Sequence, residues 1–127
     1  MASVSNQTGV SIHTGGAIEA TILAGKLNKA MSFNQKIWAV CSRIPAGKVA
    51  TYADLAAAVG SNGYRAVGNA MNKNPYAPRV PCHRVVGSNG SLTGYAAGLA
   101  KKKKMLLEEG VKFAGEKVDL ACRCKVN

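Results

Sequence analysis

The stretch TYADLAAAVGSNGYRAVGNAMNK, residues 51–73, predicts two short helices joined by a tight turn. Thr51 and Asp54 have the spacing of a capping box, so we expect a helix over residues 52–59 that begins at this cap. The Gly-Ser-Asn-Gly sequence that follows predicts the turn, and a second helix is expected over residues 64–73, before an Asn-Pro sequence. Two short helices joined in this way are typical of a helix-turn-helix motif.

The second predicted helix carries small and polar residues together. Ala66, Gly68 and Ala70 have little side-chain volume, and Arg65 and Asn69 add a cation and an amide beside them. Small residues allow a helix to lie close to another surface, which is either a neighbouring helix or the minor groove of a nucleic acid. The two polar side chains favour the nucleic acid.

Further along the chain, residues 80–86 have the sequence VPCHRVV and place a cysteine next to a histidine. The valines favour an extended segment, and Pro81 has no N–H to donate to a neighbouring strand. We therefore expect a short edge strand or a strand-like loop. His83 and Arg84 put positive charge near the Cys82 sulfur, which favours the nucleophilic thiolate. A buried structural cysteine is the alternative, and this segment alone favours neither interpretation.

Helical patterns continue on both sides of these motifs. An unstructured lead is expected over residues 1–16, followed by a short helix within residues 17–30 and a helix that starts at the N-cap Ser32. A last helix is expected over residues 99–109, with Gly110 as its C-cap and with four lysines of which part should face solvent or phosphate.

We therefore divide the chain into three parts. Residues 1–31 are a flexible or partly helical lead, residues 32–112 form one domain, and residues 113–127 are a tail that either adds a strand or trails off. Cys122 and Cys124 in this tail lack nearby third and fourth ligands, so they are interpreted as free thiols and no metal or cofactor is expected.

Charge is unevenly distributed along the chain. The 127 residues carry a formal net charge of +11, and Asp54 is the only acidic residue between Ala20 and Leu107. This surplus predicts a polyanionic partner, and nucleic acid is preferred over an anionic membrane because no strongly apolar anchor follows the lysine run. Since no apolar run has membrane-spanning length and no signal peptide is recognised, we expect an intracellular protein without a membrane partner.

Several short motifs occur in one order between Phe33 and Gly110. They are Ile44-Pro45-x-Gly47, Tyr52-x-x-Leu55-Ala56, Arg65-Ala66-Val67-Gly68, Asn74-Pro75, Pro81-Cys82-His83-Arg84-Val85, Gly94-Tyr95, Gly98 and Glu109-Gly110. In these residues the chain resembles the C-terminal domain of the O6-alkylguanine-DNA alkyltransferases. The resemblance implies a mainly α fold with a small β element, a winged-helix-like helix-turn-helix domain.

The resemblance also implies which residues carry the chemistry. Cys82 is the alkyl acceptor, His83 is the base that acts through a bridging water, and Glu109 orients the histidine. Asn74 fixes the turn before the cysteine and helps to tie Glu109 to the site.

Binding roles are implied in the same way. Tyr52 presses on the phosphate of the target nucleotide to rotate it out of the duplex, and Arg65 fills the vacated space. Tyr95 donates to the extruded guanine, whose edge contacts the backbone around Cys82 and Val85. The remaining residues expected at these surfaces are Ala96 for the substrate and Thr51, Ala66, Gly68 and Asn69 for DNA.

The implied function is DNA repair by stoichiometric transfer of the alkyl group of O6-alkylguanine in double-stranded DNA to Cys82, after nucleotide flipping from the minor-groove side. We expect a monomeric, single-turnover methylated-DNA–protein-cysteine methyltransferase, in the nucleus of a eukaryote or the cytoplasm of a prokaryote. One alternative is an alkyltransferase-like protein that binds alkylated DNA without repairing it; such relatives carry another residue, often tryptophan, in place of the cysteine. A basic architectural protein is a further alternative, and it leaves the motifs unexplained.

Overall fold

The computed structural model describes residues 12–95 and 97–126, so the expectations for residues 1–11 and for Ala96 fall outside it. The predicted class, mainly α with a small β element, is confirmed. Within this part of the chain, no helix is both long and apolar enough to span a bilayer. The elements are α1 (Ile12–Leu23), α2 (Phe33–Cys41), β1 (Ala50–Thr51), α3 (Tyr52–Ala58), α4 (Tyr64–Asn72), a 3-10 turn (Cys82–Arg84), β2 (Val85–Val86), α5 (Leu99–Glu108), β3 (Phe113–Ala114), β4 (Lys117–Val118) and a second 3-10 turn (Leu120–Cys122).

The first helix lies nearer the N-terminus than the sequence predicted. α1 includes residues 12–16, which were expected to lack fixed structure, and it ends at Leu23, inside the range 17–30 in which a short helix was expected. Gly25 ends the helix, because its φ of +72° is left-handed and its N–H donates to the Ile22 carbonyl at 2.9 Å.

α2 is the centre of the helical layer. Its predicted N-cap is confirmed, since the Ser32 hydroxyl accepts from the Gln35 N–H and the Gln35 side chain accepts from the Ser32 N–H. The buried apolar face of α2 packs against α1, α3 and α4. Trp38 donates its indole N–H to the Ala70 carbonyl at 2.7 Å and so joins α2 to α4.

The helix-turn-helix prediction is confirmed in α3 and α4. The Thr51 hydroxyl accepts from the Asp54 N–H at 3.1 Å, and the Asp54 carboxylate accepts from the Thr51 N–H at 3.0 Å, which completes the capping box of α3. Gly60 adopts a left-handed φ of +73° after α3, and α4 follows after a short turn. The predicted last residues, Val59 and Lys73, are the C-caps of the two helices.

A parallel pair of strands attaches the cysteine segment to the start of α3. β1 pairs with β2, and Thr51 lies opposite Val86. The extended segment expected around the cysteine is wrong in part, because Cys82–Arg84 forms a 3-10 turn and only β2 is extended. Pro81 has no N–H to give to a strand ladder, and its carbonyl accepts from the Arg84 N–H at 2.9 Å, which closes the turn instead.

The residues after α5 belong to the folded body. β3 and β4 form an antiparallel hairpin, and the Val49 backbone bonds to the Cys122 carbonyl and the Cys124 N–H at 3.0 and 2.9 Å. Arg123 forms an ion pair with Asp54, its Nε lying 2.8 Å from the carboxylate. Both tail cysteines are free thiols, as predicted, but they lie half-buried in a segment that packs against the domain.

Candidate functional site

Cys82 opens onto a cavity between α4 and the loop before α5. The residue is half-buried, and the cavity has a volume of about 140 Å³. This volume exceeds what a single water needs and is smaller than a drug-sized pocket, so it suits a small group. The residues that define this cavity, called the Cys82 pocket below, include Met71, Asn72, Asn74, Cys82, Gly94 and Tyr95.

The histidine after Cys82 is fixed on one side only. His83 is 2% exposed, and its Nε2 lies 2.9 Å from Oε2 of Glu109. Because a carboxylate only accepts, Nε2 carries the hydrogen and Nδ1 keeps a free lone pair. Among the described residues, this buried Nδ1 has no hydrogen-bond partner. Burial lowers the pKa of His83, against the opposing effect of Glu109, so the ring is neutral at pH 7.

The carboxylate that holds His83 is itself held by an arginine. Arg84 donates to Glu109 through Nε at 2.9 Å and through Nη2 at 2.7 Å, which is a bidentate pair. A third donation, from Nη1 to the Ile44 carbonyl at 2.7 Å, anchors the guanidinium. Burial alone would raise the pKa of Glu109, but the hydrogen bonds from Arg84 and His83 outweigh it and lower that pKa, so Glu109 is ionised.

The charge around the sulfur therefore differs from the expectation. Arg84 was expected to act on Cys82 directly, but its charge is paired with Glu109, and His83 is neutral. A further cation, the buried Lys102, interacts electrostatically with Cys82.

Asn74 makes one of the two contacts that were expected of it, the one that fixes the turn before the cysteine. Its Nδ2 donates to the Val80 carbonyl at 2.9 Å and its Oδ1 accepts from the Tyr76 N–H at 2.9 Å, which fixes the turn before the cysteine. The expected tie to Glu109 is wrong, because within residues 12–95 and 97–126 that carboxylate bonds to His83 and Arg84.

Of the residues named for contact with the guanine besides Cys82, only Tyr95 is placed at the pocket among the described residues. Tyr95 lines it and donates its hydroxyl to the Met105 sulfur at 3.4 Å, and burial raises its pKa. The expected contact at Val85 was through its backbone, and the Val85 N–H already donates to the Cys82 carbonyl, while the side chain is fully buried. Ala96 lies outside the described residues.

A second cavity, of about 400 Å³, lies next to the first. Arg65 and Gly68 of α4 line one side of it, and it shares Asn72 and Gly94 with the Cys82 pocket. The two cavities therefore adjoin at Asn72 and Gly94.

The outer face of α4 is open. Arg65, Ala66 and Asn69 are exposed, and a Cβ added at Gly68 would meet nothing within 4 Å. Packing against another helix was the alternative explanation for the small residues of α4, and it holds for Ala70, which is buried and accepts from Trp38 of α2. Gly68 has no such neighbour among the described residues, so internal packing does not require a glycine there.

The start of α3 contributes one side chain to this surface. Tyr52 lines the second cavity, and its hydroxyl donates to the Thr93 carbonyl at 3.1 Å and accepts from the Thr93 hydroxyl at 3.2 Å. Burial raises the pKa of Tyr52. Thr51, which was expected at the DNA surface, is 1% exposed and uses its hydroxyl to cap α3, so its side chain is not available to a ligand.

The sequence did not single out Lys102 or Thr93. Lys102 is fully buried on α5, its Nζ donates to the Thr93 carbonyl at 2.7 Å, and it lies 5.9 Å from the centroid of the Tyr52 ring. A signal was present, because Lys102 precedes the buried Leu106 by four residues and so lies on the same face of the helix. This signal was missed because the four consecutive lysines were interpreted together.

The chain matches known proteins over the helix-turn-helix and the cysteine segment. A family model described as "6-O-methylguanine DNA methyltransferase, DNA binding domain" matches residues 32–111. The methylated-DNA–protein-cysteine methyltransferase of Methanosarcina barkeri is 49% identical over 79 residues, which are 61% of this chain and 50% of that protein. The constitutive methyltransferase of Bacillus subtilis is 50% identical over 80 residues, 62% of this chain and 48% of that protein. The chain thus spans about half the length of these curated relatives.

Solved structures share the fold. Schizosaccharomyces pombe Atl1, crystallised with damaged DNA containing O6-carboxymethylguanine, has a TM-score of 0.66 at 34% identity, over 73% of this chain and 94% of Atl1. Mycobacterium tuberculosis OGT in complex with DNA has a TM-score of 0.61 at 32% identity, over 84% of this chain and 70% of OGT. With the family model covering more than half of its residues, the chain belongs to the family of the 6-O-methylguanine DNA methyltransferase DNA-binding domain.

Proposed function

We propose that this protein repairs DNA by moving the alkyl group of an O6-alkylguanine to Cys82, once per molecule. The observation that carries the proposal is the neutral His83, which Glu109 holds at Nε2 and whose buried Nδ1 has no partner among the described residues. An unoccupied lone pair on the residue next to the thiol suits a base that works through one water. The half-buried sulfur lines a pocket that suits a small group.

In the proposed step the Cys82 proton passes through a water to Nδ1 of His83 while the sulfur attacks the alkyl carbon. A sulfur–carbon bond forms and the O6–carbon bond breaks, and its electron pair stays with the guanine. The guanine becomes neutral by taking a proton relayed through the Tyr95 hydroxyl, which regains one from solvent. The ionised Glu109 stabilises the imidazolium that forms, and the imidazolium then loses its proton to solvent.

The product explains why the protein works only once. A thioether on Cys82 is a stable bond, and the described residues offer no group placed to attack it. The protein is therefore consumed in proportion to the lesions that it repairs.

We propose that α4 enters the minor groove and that Arg65 occupies the space left by the flipped nucleotide. A base inside a duplex cannot reach a sulfur inside a protein, so extrusion is required, at about a few kcal/mol. The exposed Arg65 and the open Gly68 support this assignment, as does the cavity at Arg65, which adjoins the Cys82 pocket. Tyr52, at the same cavity, would meet the phosphate by exchanging its bond to Thr93.

The proposed partner is double-stranded DNA containing O6-alkylguanine. A monomer of the protein binds it mainly through the phosphate backbone of the DNA. Contacts from lysine and arginine to phosphate supply affinity without sequence preference, and the net charge of +11 suits such binding. We assign this activity to residues 32–112 and propose that residues 113–126 brace the unit through Arg123 and the backbone of Val49.

The second candidate function is recognition of alkylated DNA without repair. The likeness to Atl1, of which this chain covers 94%, favours it. The thiol favours repair, because a module that only binds needs neither a nucleophile in the pocket nor a proton acceptor next to it.

Counting repaired lesions separates the two candidates. The parent protein is mixed with increasing amounts of duplex oligonucleotide carrying one O6-methylguanine, and the repaired fraction should stop at one lesion per protein. Cys82→Ser should repair nothing and still bind the duplex, whereas Cys122→Ser, which changes a tail thiol, should repair as the parent does. Binding by the parent without any repair would support the recognition module, and repair beyond one lesion per protein would contradict single use.

A further inference from the structure

A buried cation behind the Cys82 pocket takes no part in the step proposed above. Lys102 has no exposed surface, and its Nζ donates to the Thr93 carbonyl at 2.7 Å. Within residues 12–95 and 97–126, the ion pairs involve other cations, so no described carboxylate compensates this ammonium.

A buried charge without a counter-ion does not favour folding. Removing an ammonium from water is costly unless it is paired, and an apolar side chain of similar length would fill the same space at lower cost. Burial lowers the pKa of Lys102 to about 8, with the nearby Cys82 and Cys41 acting against the shift. The described contacts that compensate this amine are its hydrogen bond to the Thr93 carbonyl and its place 5.9 Å from the centroid of the Tyr52 ring, so its role is sought at these two residues.

The carbonyl that Lys102 binds is a shared point of attachment. The Thr93 carbonyl also accepts from the Tyr52 hydroxyl at 3.1 Å, and the Thr93 hydroxyl donates back to Tyr52 at 3.2 Å. Three parts of the fold meet here: α5 through Lys102, α3 through Tyr52, and the loop between β2 and α5.

That loop is the wall of the Cys82 pocket. Gly94 and Tyr95, the next two residues after Thr93, both line the pocket. Gly94 has a φ of +37° and no side chain, and a Cβ placed there would touch nothing within 4 Å, so packing at Gly94 does not hold the wall. The bonds to Thr93 lie immediately before it in the chain.

We propose that Lys102 is a positioning residue that clamps the pocket wall through the Thr93 carbonyl and thereby sets Tyr95 against the substrate. The part that concerns Tyr95 and the substrate rests on the proposed function. The clamp itself is a property of the free protein, so the two are measured separately.

The test compares Lys102→Met with Lys112→Met, an exposed lysine beyond α5 that removes the same charge. Transfer is measured from the free base O6-methylguanine over a range of concentrations, which leaves out every contact to DNA. For Lys102→Met the half-saturating concentration should rise about tenfold, with a smaller change in the maximal rate, because the wall is misplaced and the sulfur is not. Lys112→Met should match the parent.

Two readouts distinguish a clamp from a merely structural lysine. Deuterium uptake should rise in the peptide that contains residues 92–98 and stay at the parental level elsewhere, and the melting temperature of Lys102→Met should not fall. Lys102→Gln, a shorter side chain that still donates, should lie between Lys102→Met and the parent in uptake and in half-saturation.

Parental loop uptake and parental half-saturation in Lys102→Met would overturn the inference. So would a lower melting temperature together with faster uptake throughout the chain, since that result marks a lysine that holds the whole fold. If the parent transfers no alkyl group, the proposed function fails, while the loop uptake still decides whether the clamp exists.

Discussion

The Cys82 pocket and the outer face of α4 are neighbours that are built in opposite ways. Behind the sulfur, His83 and Arg84 each bond to the Glu109 carboxylate at 2.7–2.9 Å, and the histidine is almost fully buried. On α4, Arg65 is exposed and Gly68 faces open space. The bonds to Glu109 hold His83 and Arg84 in place without a ligand and leave only Nδ1 of His83 without a described partner, whereas an open face of small residues leaves room for a ligand.

The contrast separates chemistry from docking. Proton transfer needs atoms held at fixed distances before the substrate arrives, and close approach to DNA needs the absence of side chains. Substitutions at the pocket network should therefore change the rate of transfer and leave DNA affinity alone. Substitutions on α4 should weaken binding to the duplex or slow extrusion, and should leave transfer from the free base unchanged.

The largest change in transfer rate at unchanged duplex affinity is expected from Glu109→Gln. The amide would hold His83 less firmly and would no longer stabilise its charged form, and Arg84 would lose its counter-charge. We expect the single-turnover rate of transfer to fall about 100-fold, a typical loss for general-base catalysis. Affinity for an O6-methylguanine duplex, measured by fluorescence anisotropy, should equal that of the parent.

The dependence on pH gives this prediction a control. Burial lowers the pKa of His83, so the parental rate should hold below the ordinary histidine pKa of about 6.5 and fall only as the pH drops through the lowered value. The pKa values of His83 and Glu109 are both depressed by folding, so the stability they contribute is present at neutral pH and lost on acidification.

A Glu109→Gln protein that loses duplex affinity and keeps the parental rate would reverse the roles assigned to the two regions.

A smaller effect is expected from Arg65→Ala. Without the wedge, the flipped state loses the side chain that fills the stack, so transfer from a duplex should slow about tenfold to 100-fold, which corresponds to about 1–3 kcal/mol. Transfer from the free base should stay at the parental rate, because nothing has to be extruded. Single-turnover kinetics on both substrates measure the difference.

The matched control for Arg65→Ala is Lys117→Ala, which removes an exposed cation from β4. This control separates extrusion from the loss of one positive charge. Equal slowing of Arg65→Ala on the duplex and on the free base would show that Arg65 supports the pocket and is not a wedge.

The smallest effect is expected from Gly68→Ala, and its two parts have opposite signs. An alanine in mid-helix should raise the free energy of unfolding by about 0.5–1 kcal/mol, because a Cβ fits there without contact. The same methyl should weaken duplex binding about threefold if α4 lies against the groove. Urea unfolding and anisotropy titration measure the two quantities, and a more stable protein with undiminished affinity would place the DNA elsewhere.

Local sequence signals predicted the helices well. Ser32 and Thr51 start α2 and α3 as expected, because a capping box is made within four residues and depends on little else. The left-handed Gly60 and Gly110 lie where turn chemistry placed the helix ends.

Interactions between distant residues were not predictable from local pattern. Arg123 pairs with Asp54 across 69 positions, so the tail, which was expected to add a strand or to trail off, braces α3. The valines around Cys82 favoured an extended segment, but a turn bond between Pro81 and Arg84 overrode them. Lys102 was hidden in a lysine run that looked like a solvated face, and only the fold shows where its amine lies.

The central claim is that one particular sulfur receives the alkyl group. The parent protein is incubated with an excess of duplex containing O6-methylguanine, and its intact mass and its peptide masses are determined by mass spectrometry. We predict a gain of one methyl group per protein, located on Cys82. An unchanged mass in a protein that binds the duplex, or a methyl group on Cys41, Cys122 or Cys124 instead, would contradict the claim.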